Sequence, residues 1–362
     1  MKERRKRELF EFARAIGTVL AALFLGFIIT LLVSKEPIAA YRAFLLGPLT
    51  RVNRFGNWIE ESITLTLVGL AICLVFRARQ FSLAAEGQLY LGALVSGLVG
   101  LYLQLPMLLH ISLAMIAAAL AGFLWGLIPG LLKAYLDANE IVSTLMLNAI
   151  AIRIYNLILT YRLKPDYAGY TVSEYFRPTA LLPRIVPGTR ITSAVFWAIA
   201  AVFVVYLLMY RTPFGYALRM TGANIRFAYY GGINTKRVIY LTMAISGIFA
   251  ALAGAHLSMG IHQRVILNVS MGLGFEGIVV SLLARNNPLL VPITALFYGY
   301  LRAGADIMER SSDVTRELVM VIQAVIILLV TAEGFLAFLQ RQMRIRLGAE
   351  ELGEGKEAGN VI

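Results

Sequence analysis

Runs of apolar residues close to 20 long recur along the whole chain, separated by short polar segments rich in Gly, Pro, Arg and Asn. About 20 apolar residues in a helix cross a bilayer, so each run predicts a transmembrane helix. The pattern predicts about ten of them: residues 15–33, 59–76, 82–103, 107–132, 141–161, 193–210, 238–257, 271–283, 289–307 and 318–335. The alternating outward-apolar, inward-polar signature of a membrane β-barrel is missing. The expectation is an all-α fold, a polytopic membrane helix bundle. An even number of spans puts the N- and C-termini on one side, and the basic loops place that side in the cytoplasm.

Composition sharpens the class. Hydrophobic residues make up 59% of the 362 and charged ones 15%, against about 25% charged in soluble domains. A soluble fold around one core is excluded. The net charge of +12 raises nucleic acid as a partner, but the bases sit in loops and tails, where they set membrane orientation instead. Residues 1–14, opening on MKERRKR, read as a basic cytoplasmic N-terminus able to touch anionic membrane lipid. The run at 15–33 is too long for a signal-peptide core and reads as a retained first span. The transmembrane domain then extends over 15–337. Residues 338–362 form a cytoplasmic tail, Gly-rich and acidic at its end, with the composition of a disordered segment. Cys73 is the only cysteine, so no intramolecular disulfide forms.

One polar island stands out, residues 211–237, carrying Arg211, Arg219, Arg226, Lys236 and Arg237 and no acid. Its charge places it in the cytoplasm. Residues 224–230 predict a short helix, broken after Tyr230 by Gly231-Gly232. Phe214, Phe227, Tyr229 and Tyr230 gather there, as a surface offered to a partner; the plainer reading is a solvated loop. Two longer outer segments, 34–58 and 162–192, mix Pro, Arg and aromatics. They read equally well as an aromatic interface belt or as a docking rim.

Several chemistries lack their equipment. There is no G-x-x-x-x-G-K-[ST] phosphate loop, no H-E-x-x-H or Cys/His metal spacing, and no nucleophile elbow. His110, His256 and His262 fall near predicted outer span ends and read as interfacial polar residues. Four polar stretches lie at membrane depth, where polar groups are costly and so informative: residues 81–88 (FSLAAEGQ), 139–148 (NEIVSTLMLN), 272–277 (GLGFEG) and 285–288 (RNNP). The first and third share an acid-glycine pair behind a Phe and leading into an apolar stretch. Paired breaks in two halves of a chain point to a central transport site. For Glu86 a helix N-terminal acid held by the dipole is the equal alternative. Glu276 reads as a pathway or subunit-contact residue.

Together, residues 81–94 (FSLAAEGQLYLGAL), 140–151 (EIVSTLMLNAIA), 212–233 (TPFGYALRMTGANIRFAYYGGI) and 272–288 (GLGFEGIVVSLLARNNP) resemble the permease subunits of ABC importers. The closest likeness is to the nucleoside and simple-sugar branch, related to the ribose-type and branched-chain amino-acid permeases. The blocks come in the family's order and the similarity spans about 15–335. Departures are Ser82-Leu83-Ala84 in place of Asn-Ile-Gly, Ala284 in place of Gly, and Gly231-Gly232-Ile233 in place of Ala-Gly-Ile.

The resemblance implies a multi-pass permease of the plasma (inner) membrane that is not itself an enzyme. Separate ABC ATPase subunits would bind ATP and Mg, this chain binding no cofactor of its own. An extracytoplasmic binding protein would deliver substrate, and a second permease chain would complete a hetero- or homodimer. The island becomes an ATPase-coupling loop, with Phe214, Gly215, Arg219, Gly222, Asn224, Arg226, Tyr230, Gly231 and Gly232 as its candidate residues and with Gly222 and Gly231-Gly232 as hinges. A nucleoside offers a flat base and a polar ribose, so the pathway candidates are Glu86, Gln88, Tyr90, Asn148 and Glu276. Branched-chain amino acids or simple sugars are the alternative substrates. Outside the importer class, the alternatives are an ion-coupled secondary transporter using Glu86 and Glu276 and, less favoured, a lipid-acting intramembrane enzyme.

Overall fold

The computed structural model describes residues 20–32, 34–315 and 317–328. The basic N-terminus, the start of the first expected span, the end of the last and the tail lie outside the described residues. Among the described residues the fold is helical, with only isolated β-bridges between Val172 and Ile266 and between Arg184 and Thr192. In chain order the helices are α1 (Leu20–Leu32), α2 (Pro37–Leu46), α3 (Val52–Arg77), α4 (Ala85–Tyr102), α5 (Met107–Leu136) and α6 (Glu140–Ile158). They continue as α7 (Ala194–Arg211), α8 (Pro213–Ala223), α9 (Ile225–Tyr230), α10 (Thr235–His256), α11 (Leu273–Leu283) and α12 (Val291–Ser311), then α13 (Glu317–Leu328).

Among the described residues, five helical stretches are long and apolar enough to cross a membrane: Val52–Arg77, Met107–Leu136, Glu140–Leu163, Ala194–Arg211 and Thr235–His262. This is the composition of a membrane helix bundle. The other expected spans differ for physical reasons. α4 carries Glu86 and Gln88 in its first turn, and α12 carries Arg302, Asp306, Glu309 and Arg310. α11, with 11 residues, reaches roughly 16 Å, about half a bilayer core.

The chain divides into two compact units, Leu46–Ala303 and a unit made of its two ends, Met1–Leu45 with Gly304–Ile362. In the terminal unit, Asp313 accepts hydrogen bonds from Ser34 Oγ (2.6 Å) and the Lys35 amide (2.7 Å). Those donors hold its carboxyl below the usual carboxylate range.

The larger unit is built around α10, which packs on α3, α4 and α5, with α11 against α3, α6 against α4 and α7 against α3. Glycines let these backbones meet. A Cβ on Gly122 would lie 2.1 Å from the Gly247 carbonyl oxygen, and one on Gly247 2.1 Å from that of Gly122. A Cβ on Gly92 would lie 2.1 Å from Ala251 O, and one on Gly254 2.0 Å from Leu89 O. Small residues at such crossings allow the close packing that holds membrane helices together. Gly247→Ala is therefore expected to lower stability by about 1–3 kcal/mol or more, read as a fall in thermal midpoint of the purified protein. An unchanged midpoint would contradict the packing.

Outside the helices, residues 164–193 are ordered rather than loose. Ser173 N donates to Val265 O and Phe176 N to Gln263 O, both at 2.9 Å, and the Phe176 ring fills the space left by Gly97 and Gly100. Tyr170 and Tyr175 remain exposed, with the Arg264 guanidinium over both rings.

Candidate functional site

Three of the four polar stretches, 81–88, 139–148 and 272–277, converge. α11 starts abruptly: Gly272 precedes it at φ +92°, a conformation open mainly to glycine. The first amides of a helix lack intrahelical partners and carry the positive end of its dipole. Glu86, at the start of α4, occupies that position. Its carboxylate accepts from Gly274 N (2.7 Å), Gly272 N (3.3 Å) and Ser270 Oγ (2.8 Å). The two acid-glycine stretches paired by likeness in the sequence thus touch, one supplying the carboxylate and the other the amides. The middle stretch joins them: Asn148 accepts from Gly87 N (2.9 Å) and donates to Leu83 O (2.7 Å). Tyr90 stands edge-on to Tyr155 at 5.0 Å, and Tyr155 donates to Ile266 O (2.7 Å).

The structure therefore brings Glu86, Tyr90 and Asn148 together around the α4–α11 junction, each in a contact that fixes neighbouring elements. Gln88 differs. It is buried, its amide atoms have no hydrogen-bond partner among the described residues, and its Nε2 faces Gly126 of α5 and Gly247 of α10. Glu276 lies apart, in an ion pair with Arg302, which also approaches Glu61 (3.9 Å). The RNNP stretch turns the chain from α11 to α12, with Arg285 and Asn286 at positive φ and Asn286 Oδ1 accepting from Ser281 Oγ (2.9 Å).

A second cluster escaped the sequence reading. His256, expected at an interface, is fully buried. Its Nε2 lies 2.8 Å from Glu60 Oε1 and its Nδ1 3.0 Å from Thr64 Oγ1. Glu60 also accepts from Thr192 Oγ1 (3.2 Å) and Thr192 N (3.3 Å), tying the 164–193 segment to α3 and α10. The available signal was a carboxylate at the edge of an apolar run and a histidine inside another.

The 211–237 island contains two helices. α9 (Ile225–Tyr230) matches the expected short helix, with Asn224 Oδ1 accepting from Phe227 N (3.1 Å) as its N-cap. It ends at Gly231-Gly232, where Gly232 has φ +81° and Ile233 N bonds back to Ala228 O (3.0 Å). α8 (Pro213–Ala223) was not foreseen. Thr212 caps it by accepting from Gly215 N (3.0 Å), and Pro213 opens it, as suits a first helical turn.

Gly215 and Gly222 are points of close backbone contact. A Cβ on Gly215 would sit 2.0 Å from Leu208 O of α7, and one on Gly222 2.1 Å from Arg77 O at the end of α3. Arg219 lies over the Tyr210 ring at 5.1 Å and bonds Gly215 O (3.3 Å). Arg226 and Gly231 are exposed, and Phe227, Tyr229 and Tyr230 project with 63, 67 and 87% exposure. Phe214 lines a cleft of about 740 Å³ between α7–α8 and α10, with Asn234 and Arg237.

Long apolar helices, a half-length helix capped by a buried carboxylate and a projecting aromatic helix fixed to the core define a multi-pass membrane permease. The chain belongs to the family described as branched-chain amino acid transport system / permease component, which matches residues 54–331. It is 31% identical over 329 residues to the guanosine ABC transporter permease protein NupP of Bacillus subtilis, covering 90% of this chain and 94% of that protein. Over 335 residues it is 32% identical to the glucose ABC transporter permease protein TsgB13 of Haloferax volcanii, covering 90% and 88%. The nucleoside ABC transporter permease protein NupB of Lactococcus lactis is 27% identical over 320 residues, covering 85% and 87%. No solved structure is a significant match. The chain is thus an ABC importer permease subunit of the nucleoside and simple-sugar branch, a multi-pass protein of the plasma membrane.

Proposed function

We propose that this chain forms the translocation path for nucleosides, or a related sugar-containing solute, in an importer driven by separate ATPase subunits that bind ATP and Mg. In this reading the chain has about ten spans, with both termini and the 211–237 island in the cytoplasm. A second permease chain completes the pore and an extracytoplasmic protein delivers the solute. The names of two relatives, for guanosine and for nucleosides, favour that substrate class. The glucose permease of Haloferax supports simple sugars as the second reading. Gln88, whose buried amide has no hydrogen-bond partner among the described residues, remains a pathway candidate.

The observation that carries the mechanism is the seating of α8. Gly222 lets it rest on the last carbonyls of α3, a helix buried along most of its length, while α9 beside it exposes three aromatic rings. A push on α9 therefore reaches α3 through a backbone contact with no soft side chain between them. Packed, stiff elements of this kind transmit domain closure, and exposed aromatics ringed by polar groups anchor interfaces.

The test is uptake of radiolabelled nucleoside into vesicles bearing this chain with its transport partners. Tyr230→Ser is expected to leave the fold intact, as an exposed substitution, while ATPase subunits no longer co-purify and ATP-driven uptake falls to background. Gly222→Leu is expected to keep the ATPase bound yet lose uptake. Uptake indifferent to ATP, driven by an ion gradient in this chain alone, would overturn the reading.

A further inference from the structure

We propose that a small cavity beneath α8 and α9 binds a free nucleobase, which holds the coupling element against α3 and slows import. The cavity measures about 190 Å³ and lies between the end of α3, the α5–α6 connection and the α8–α9 helices. Two of its polar walls are buried without partners: Gln80, 5% exposed, and Thr221, 4% exposed. Neither the Gln80 amide oxygen and nitrogen nor the Thr221 hydroxyl has a hydrogen-bond partner among the described residues. Buried polar groups are nearly always satisfied, so two on one cavity wall point to something that enters it.

The chemistry of the walls selects the occupant. Lys133 and Glu140 line the cavity with Arg79; Lys133 pairs with Glu140 at 3.2 Å and with Asp137 at 2.9 Å, so two acids stand beside the two bases and a neutral ligand is favoured. Gln80 presents an acceptor and a donor side by side. An amide of that form pairs in bidentate fashion with the adjacent donor and acceptor on the edge of a base, as Gln and Asn do with adenine. Ala78, Ile225 and Ile239 supply apolar walls for the flat faces. The volume is below the roughly 300 Å³ where drug-sized sites begin, which suits a base without its sugar.

Position gives the consequence. Gln80 lies just past the turn at Ala78-Arg79 that ends α3, and Thr221 lies on α8 next to Gly222, so a ligand bonded to both pins the contact through which α8 bears on α3. The regulatory half of the proposal rests on the nucleoside-import reading, in which this side faces the cytoplasm. Cleavage of an imported nucleoside at its glycosidic bond releases the base there, and the base then reports that supply is sufficient.

The test separates binding from transport. The full-length permease in nanodiscs is titrated with adenine, guanine, hypoxanthine and uracil, and with the matching nucleosides, following thermal midpoint and heat of binding. At least one base is expected to bind below about 1 mM and to raise the midpoint more than its nucleoside does. Gln80→Leu and Thr221→Val are each expected to weaken binding by roughly tenfold or more. Their own midpoints should match or exceed the parent's, since each removes an unpaired buried polar group. In the complete importer the same base, added on the ATP side, should slow uptake in the parent but not in Gln80→Leu. No binding by any base, or equal binding by Gln80→Leu and Thr221→Val, overturns the site. Binding without slowed uptake overturns the regulatory role. Failure of nucleoside uptake by the parent importer overturns the transport reading instead, and the binding result stands by itself.

Discussion

Glu60→Leu is expected to cost about 1–3 kcal/mol of stability for each buried donor that it leaves unsatisfied. The loss comes from what the carboxylate leaves behind. His256 Nε2, at 2.8 Å, and the Thr192 hydroxyl and amide, at 3.2 and 3.3 Å, all lose their acceptor in a site closed to water. His256→Leu should cost a comparable amount by stranding Glu60. The double variant Glu60→Leu/His256→Leu is expected to be less damaged than the sum of the two, because each change removes a group that the other orphaned, while Thr192 still lacks its acceptor. Thermal or denaturant unfolding of the four proteins in one detergent closes the cycle. Additive losses would mean that the two side chains act separately. The same Glu60→Leu change should raise hydrogen exchange in residues 185–193, since Thr192 is held by this carboxylate.

Glu86→Leu is the second large effect. Charge-assisted hydrogen bonds contribute about 1.5–3 kcal/mol each, and Glu86 accepts three, two of them from the amides that open α11. Loss of several kcal/mol locally would release the start of α11. The expected results are faster amide exchange over residues 270–276 and loss of uptake. Glu86→Gln should be intermediate, because one carbonyl oxygen remains to accept while the new NH2 group faces N–H donors. If exchange over 270–276 is unchanged in Glu86→Leu, the carboxylate is not what holds the helix start.

Both effects show where the sequence was readable and where it was not. The long spans were legible because hydrocarbon thickness imposes its length on an apolar run. α3 was read seven residues short, from 59 rather than from Val52, because Arg54, Glu60 and Glu61 look like the edge of a membrane. In the fold, Glu60 is hydrogen-bonded to His256, and pairing across 196 positions leaves no local trace. α11 was visible as a Gly-rich, acid-bearing segment, but not as half a span. The likeness between residues 81–88 and 272–277 pointed to a shared structural task, and their contact through Glu86 is a relation that no repeat can express. In the 211–237 island, the α9 cap and stop were written locally in Asn224 and Gly231-Gly232. α8 was hidden because Gly222 read as flexibility, whereas Gly215 and Gly222 serve as flat bearing surfaces against α7 and α3.

The facing glycines of α5 and α10 limit how this protein can recover from damage. In most cores an enlarged residue is accommodated by trimming the neighbour it strikes. At Gly122 and Gly247 the atom struck is a backbone oxygen on the opposite helix, at 2.1 Å in each direction, and no smaller residue exists to retreat to. Suppressors of a Gly247 variant would then have to act by shifting a whole helix. A genetic selection should return them at helix ends and connections, and return none at the residue in contact.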